Sequence, residues 1–230
     1  MNSHSLSKKT YFAMILGGTL FTIVILLWPI FMVLSKTTGN LHDQLLSIAD
    51  NPSMYMINFV IASFIAPATS FIMITLALFI KTKKETPILN IFGVFLLAPY
   101  VTLVSIAYAS QYTLLQSYLN DANFSEASLW FFENSNSVSY FLNQLGYTFF
   151  ALSALLIGFK LLFEQGIPKA VGVLLWLSGF LSIVAFIGLT MKNEILNLST
   201  IISGLTMVPI GIIVIIWGVK LARHKEISYE

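Results

Sequence analysis

Six long apolar stretches alternate with short polar ones along the chain, and their lengths set the architecture. The first runs from Tyr11 to Leu34, 24 residues without a charge. At about 1.5 Å of rise per helical residue, such a run crosses a hydrocarbon core of about 30 Å. It continues apolar through Trp28 and Pro29, too far for the core of a cleaved signal peptide, so an uncleaved first span is expected. Further spans fall at about 55–80, 88–115, 140–163, 169–191 and 199–221. The pattern predicts an all-α integral membrane protein: six transmembrane helices in one bundle, forming a single membrane domain over 1–230.

Within this frame the minor signals are local. In the second span, Ala62, Ala66 and Ser70 repeat every four residues and admit a close neighbour, while Pro67 predicts a kink. Between the first two spans, Asn40 is placed to cap a short helix with Leu41, Leu45 and Ile48 on one side, ended by Asp50, Asn51 and Pro52. That helix is expected to lie at the membrane interface. Between spans three and four, Asn123 and Glu126 resemble a capping box ahead of Leu129, Trp130, Phe131 and Phe132. These aromatics are expected to dip among lipid headgroups, the alternative being a lid over a cavity. In the sixth span Gly204, Gly211 and Gly218 recur every seven residues, which predicts a groove for a close helix contact.

Composition agrees with the hydropathy pattern: 57% hydrophobic and 10% charged residues, with a mean hydropathy of +0.85. A soluble domain would carry about 25% charged residues. The net charge of +2 gives no argument for a nucleic-acid partner. There is no cysteine, which excludes disulfides, thiolate nucleophiles and thiolate metal sites. The distribution of the basic residues is more informative. With both termini cytoplasmic, ten of the twelve fall inside: Lys8, Lys9, Lys81, Lys83, Lys84, Lys160, Lys169, Lys220, Arg223 and Lys225. Only Lys36 and Lys192 fall outside. The positive-inside rule therefore predicts a multi-pass protein of the cell membrane with both termini in the cytoplasm, and places loops 35–54 and 116–137 outside.

Candidate chemistry gathers where the third span ends and the fourth begins. Tyr140, Asn143, Gln144 and Tyr147 share one helical face, and Tyr100, Tyr108, Gln111 and Tyr112 lie in the polar second half of the preceding span. Together these eight residues could line an outward-opening vestibule of neutral hydrogen-bonding groups. The competing reading is that they make interhelical hydrogen bonds and an aromatic belt. No Asp, Glu, His or Arg falls in the middle of a span, which argues against proton-coupled transport and intramembrane hydrolysis. His4, His42 and His224 cannot meet in one metal site, and no phosphate-binding loop is present. Neither a catalytic residue nor a cofactor is expected. Asp43, Asp50, Asp121, Glu126 and Glu133 read as solvated loop charge.

Several short signatures resemble a bacterial six-span family, domain of unknown function 4386. They are the paired lysines before the first span, the turn Gly166-Ile167-Pro168-Lys169 leading to Ser178-Gly179, and Pro209-Ile210-Gly211 with Trp217-Gly218. The resemblance implies six spans and no known activity. The charged residues associated with that family's third and sixth spans are missing here, since Leu96 to Tyr100 and Ile212 to Ile216 hold no Arg or Glu. The expected function is a non-enzymatic membrane protein that binds a neutral or lipid-like molecule from the outer leaflet. The alternative is a permease-like or immunity-type subunit working with a partner through the glycine groove, and an intramembrane enzyme stands third.

Overall fold

The computed structural model describes residues 8–81 and 88–226. The lysines at 83 and 84, the helix start at Pro87 and His4 lie outside the described residues, as do the side chains of Lys8, Lys9, Lys81, His224 and Lys225. Every regular element among the described residues is helical: α1 (Lys8–Leu34), α2 (Leu41–Asp50), α3 (Pro52–Ala62), α4 (Ile65–Lys81), α5 (Ile88–Phe95), α6 (Leu97–Tyr112), α7 (Leu114–Asn120), α8 (Phe124–Trp130), α9 (Val138–Leu162), α10 (Ile167–Thr190), α11 (Glu194–Asn197) and α12 (Ser199–Glu226). Six stretches are long and apolar enough to cross a membrane: Thr10–Leu34, Pro52–Ile80, Ile88–Asn120, Val138–Leu162, Ile167–Thr190 and Glu194–Arg223. Each overlaps one expected span.

In the second and third spans, proline explains where the helix first breaks. A proline ring collides with the carbonyl four residues earlier and removes the hydrogen bond to it. Pro67 thereby strikes Ser63, and α3 stops at Ala62. The freed turn is patched locally, as Ser63 donates its hydroxyl to the Phe59 carbonyl at 2.8 Å and Phe64 N bonds the Ile61 carbonyl at 3.1 Å. Pro99 strikes Phe95 in the same way, and α5 stops there. The third span breaks again at Thr113, where φ is −121° and ψ −82°. There the Gln116 amide donates to the Gln111 carbonyl at 3.2 Å, and the helix resumes as far as Asn120 rather than ending near 115.

The chain forms two compact units, with crossings beside these prolines: one holds 1–23, 68–98 and 148–230, the other 24–67 and 99–147. The first unit is closed by small residues. The Gly166 turn at φ +68° lets α10 return along α9. On that seam, a Cβ added at Gly172 would lie 2.9 Å from backbone atoms of Leu161 and Leu162, and one at Gly179 2.9 Å from the Ala151 carbonyl oxygen. Between α10 and α12, the Ser203 hydroxyl lies 3.0 Å from that of Ser178 and 2.7 Å from that of Ser182. α1 occupies the glycine groove of α12: Gly211 meets Phe21 and Thr22, and Gly218 meets Met14 and Ile15. Gly204 alone of the three faces open space.

Candidate functional site

The second unit holds all eight candidate residues. After the end of α1 it contains α2, started as expected by a capping box in which Asn40 Oδ1 accepts from His42 N at 2.9 Å and Asp43 N at 3.1 Å. Leu45 and Ile48 are each 1% exposed. The apolar face of α2 is covered by α7 and α8 of the same chain. Asn123 caps α8 by accepting from Glu126 N at 3.3 Å.

At the end of α8 the expectation of an interfacial anchor is corrected for Phe131 and Phe132, while Leu129 stays exposed and Trp130 half-buried. Phe131 is fully buried against Tyr55, with centroids 6.1 Å apart. Phe132 packs among Phe59, Tyr108 and Tyr140 at 5.2, 5.5 and 6.1 Å. The cause is Gln111, which is fully buried and holds the backbone of this segment. Its Nε2 donates to the Trp130 carbonyl at 2.7 Å and to the Ser139 hydroxyl at 3.0 Å, with Ser110 Oγ and the Ala107 carbonyl at 2.9 and 3.1 Å. Its Oε1 accepts from Tyr55 OH at 2.8 Å and from Phe132 N at 3.0 Å. Both amide hydrogens and both lone pairs are thus in use, and Gln111 is a tie between α3, α6, α9 and the segment after α8.

The other candidates separate into groups. Gly146 lets α9 approach α6 closely, where an added Cβ would lie 2.7 Å from Val104 Cγ2. Beyond this contact Tyr147 stands edge-on to Tyr100 at 5.5 Å and is hydrogen bonded to Tyr108. Tyr100 and Tyr108 are 0% and 1% exposed. Tyr112 is drawn away to the Ser63 hydroxyl at 3.3 Å, and Tyr140 is half-buried beside Phe132. Between the Gln111 tie and the tyrosines sit Asn143 and Gln144, 4% and 3% exposed. Asn143 Oδ1 is buried without a hydrogen-bond partner, as is Asn58 Oδ1 on α3.

Sequence reasoning missed a third feature of this unit. Glu133 Oε2 accepts the Thr37 hydroxyl at 3.3 Å although the two residues lie 96 positions apart. Desolvation raises the Glu133 carboxyl above the usual range for glutamate, opposed by the Thr37 hydrogen bond and the charge of Lys36. No motif marks the pair. The only available signal was that Lys36 is one of two lysines placed outside by the charge rule. Among the described residues no group of three or more His, Cys, Asp or Glu could hold a metal ion.

The profile of a family described as a domain of unknown function (DUF4386) matches residues 16–221. No curated protein and no solved structure matches the chain.

Proposed function

Since the chain belongs to the DUF4386 family, a domain of unknown function, we propose a role from its own residues: a non-catalytic protein of the cell membrane that binds a neutral, lipid-like molecule entering from the outer leaflet. The observation that carries this reading is Asn143 Oδ1, buried and unpaired one turn from Tyr147 on the face of α9 that meets α6. A buried carbonyl without a donor costs about 1–3 kcal/mol. A ligand hydroxyl would satisfy it, and the neighbouring rings offer an apolar bed for the rest of the molecule. The spans of this unit contain no charged side chain, so the ligand class is uncharged, such as a diacylglycerol. The glycine groove no longer favours a partner subunit, because α1 fills it at Gly211 and Gly218.

Native mass spectrometry of the detergent-solubilised protein with dioctanoylglycerol and its O-acetylated analogue tests the reading. The free hydroxyl is expected to improve affinity about tenfold, and Asn143→Leu to abolish that preference. Equal binding of both lipids to wild type and variant would refute it. The orientation has its own test, because single cysteines in a chain without native ones are unambiguous reporters. A membrane-impermeant maleimide should label Thr38→Cys in intact cells, and Gln165→Cys only after permeabilisation. The reverse pattern would invert the topology and place the ligand in the other leaflet.

A further inference from the structure

Between the end of α1 and the start of α3, the second unit holds an open cleft of ≈ 140 Å³. Sites for drug-sized molecules measure roughly 300–1,000 Å³, so this one takes a smaller polar fragment. One wall is polar, built from Ser35, Lys36 and Thr37 after α1 and from Ser47 and Asn51 at the end of α2. The rim is apolar, with Leu34 and Met54 exposed by 60% and 45% at the ends of two membrane spans. Glu133 stands beside the cleft, fixed by its hydrogen bond to Thr37. Lys36 acts on Glu133 through its charge, yet among the described residues no ion pair joins them. Two opposite charges held near one another but apart, above an apolar rim, complement a ligand that carries both charges on an apolar tail.

We propose that this cleft seats the headgroup of a zwitterionic phospholipid bearing a primary ammonium. The phosphate meets Lys36 and the hydroxyl and amide donors of Ser47 and Asn51. The ammonium faces Glu133, and the acyl chains follow Leu34 and Met54 into the leaflet. A lysine ammonium serves phosphate as a point charge, without the paired geometry an arginine would require. The site shares no residue with the one around Asn143, so either can fail alone.

The test uses the intact protein in detergent micelles, with native mass spectrometry as the readout. The probes are short-chain phosphatidylethanolamine, phosphatidylglycerol of equal chain length, and free phosphoethanolamine. Phosphatidylethanolamine should bind about tenfold tighter than either of the others. Lys36→Gln and Glu133→Gln should each remove about tenfold of that affinity, while Lys36→Arg and Lys192→Gln keep it. Both charged residues are exposed, and in Glu133→Gln the new amide oxygen would still accept the Thr37 hydroxyl, so unchanged melting temperatures are expected of the variants. Retained affinity in both charge-removing variants would overturn the proposal. So would equal binding of the two lipids with Glu133→Gln silent, which describes a site for anions alone. Free phosphoethanolamine binding as tightly as the lipid would overturn the lipid as its occupant.

Discussion

Replacing Gln111 with leucine should destabilise the protein by about 3–5 kcal/mol and release the segment after α8. The side chain uses two donors and two acceptors, and interhelical hydrogen bonds in membranes average about 0.6 kcal/mol each. That average sets a floor of about 2 kcal/mol. The cost rises above it because leucine leaves the Phe132 N–H, the Trp130 carbonyl and the Tyr55 hydroxyl behind, all held now by Gln111. Each stranded buried group costs about 1–3 kcal/mol unless the segment moves to water. Movement is the cheaper escape, so the loss should appear partly as local opening. Thermal unfolding in micelles, followed by tryptophan fluorescence, reads the global part. Hydrogen exchange over 128–137 reads the local part and should speed up in Gln111→Leu before the rest of the chain is affected. Tyr55→Phe and Ser139→Ala each remove one arm of the tie, and each should cost about 0.5–1 kcal/mol. Exchange unaltered in Gln111→Leu would mean that Phe131 and Phe132 hold the segment by packing alone.

The role of Gln111 shows where the sequence stops being legible. Hydropathy located all six spans, because lipid exposure writes a long signal into composition. Caps at Asn40 and Asn123 were legible because their partners lie within three residues. The break before Pro67 was half legible: the proline announced a bend, and its effect appears four residues upstream at Ser63. Pro99 carries the same information, its effect lying four residues upstream at Phe95. Gln111 was legible as a polar candidate with interhelical bonding as one of its readings, but its tie to the loop was not, since two of its partners are the backbone of Trp130 and Phe132, some 20 residues on. Backbone atoms are the same at every position, so no residue pattern marks such a tie. Phe131 and Phe132 accordingly looked like headgroup anchors, when the held backbone turns them inward. The Lys36–Glu133 feature was hidden for a related reason: each charge lies in a different loop, and each reads alone as solvated.

The seven-residue glycine repeat of α12 gives the sharpest separation between sequence and structure, because one pattern predicts one behaviour and the fold assigns three. At Gly204 a Cβ meets nothing within 4 Å. Gly204→Ala should therefore be neutral or stabilising by up to about 1 kcal/mol, the helix preference of alanine over glycine. At Gly218 a Cβ would lie 2.9 Å from Ile15 Cγ1 and 3.1 Å from Met14 Cβ. The first sits on a stiff β-branched side chain and the second is a side-chain root, but neither is backbone and a shift of a few tenths of an ångström (about 0.3 Å) relieves both, so Gly218→Ala should cost about 1 kcal/mol. At Gly211 a Cβ would strike Thr22 Oγ1 and lie 2.9 Å from Phe21 Cδ1. Thr22 is held in place, its hydroxyl donating to the Gly18 carbonyl at 2.7 Å, and cannot turn without breaking that bond. Facing it, a Cβ on Gly18 would lie 2.9 Å from the Gly211 carbonyl oxygen and 3.2 Å from Ile215 N, both backbone. Relief at this level requires α1 and α12 to separate, so Gly211→Ala and Gly18→Ala should each cost about 2–3 kcal/mol net of the helix preference. The double variant should cost less than the two together, because a seam opened once admits both methyl groups. Melting temperatures ordered Gly204→Ala, then Gly218→Ala, then Gly211→Ala from highest to lowest are the expected result in micelles. Equal shifts at all three positions would mean that the repeat is read by something other than α1, and would return the groove to a partner subunit.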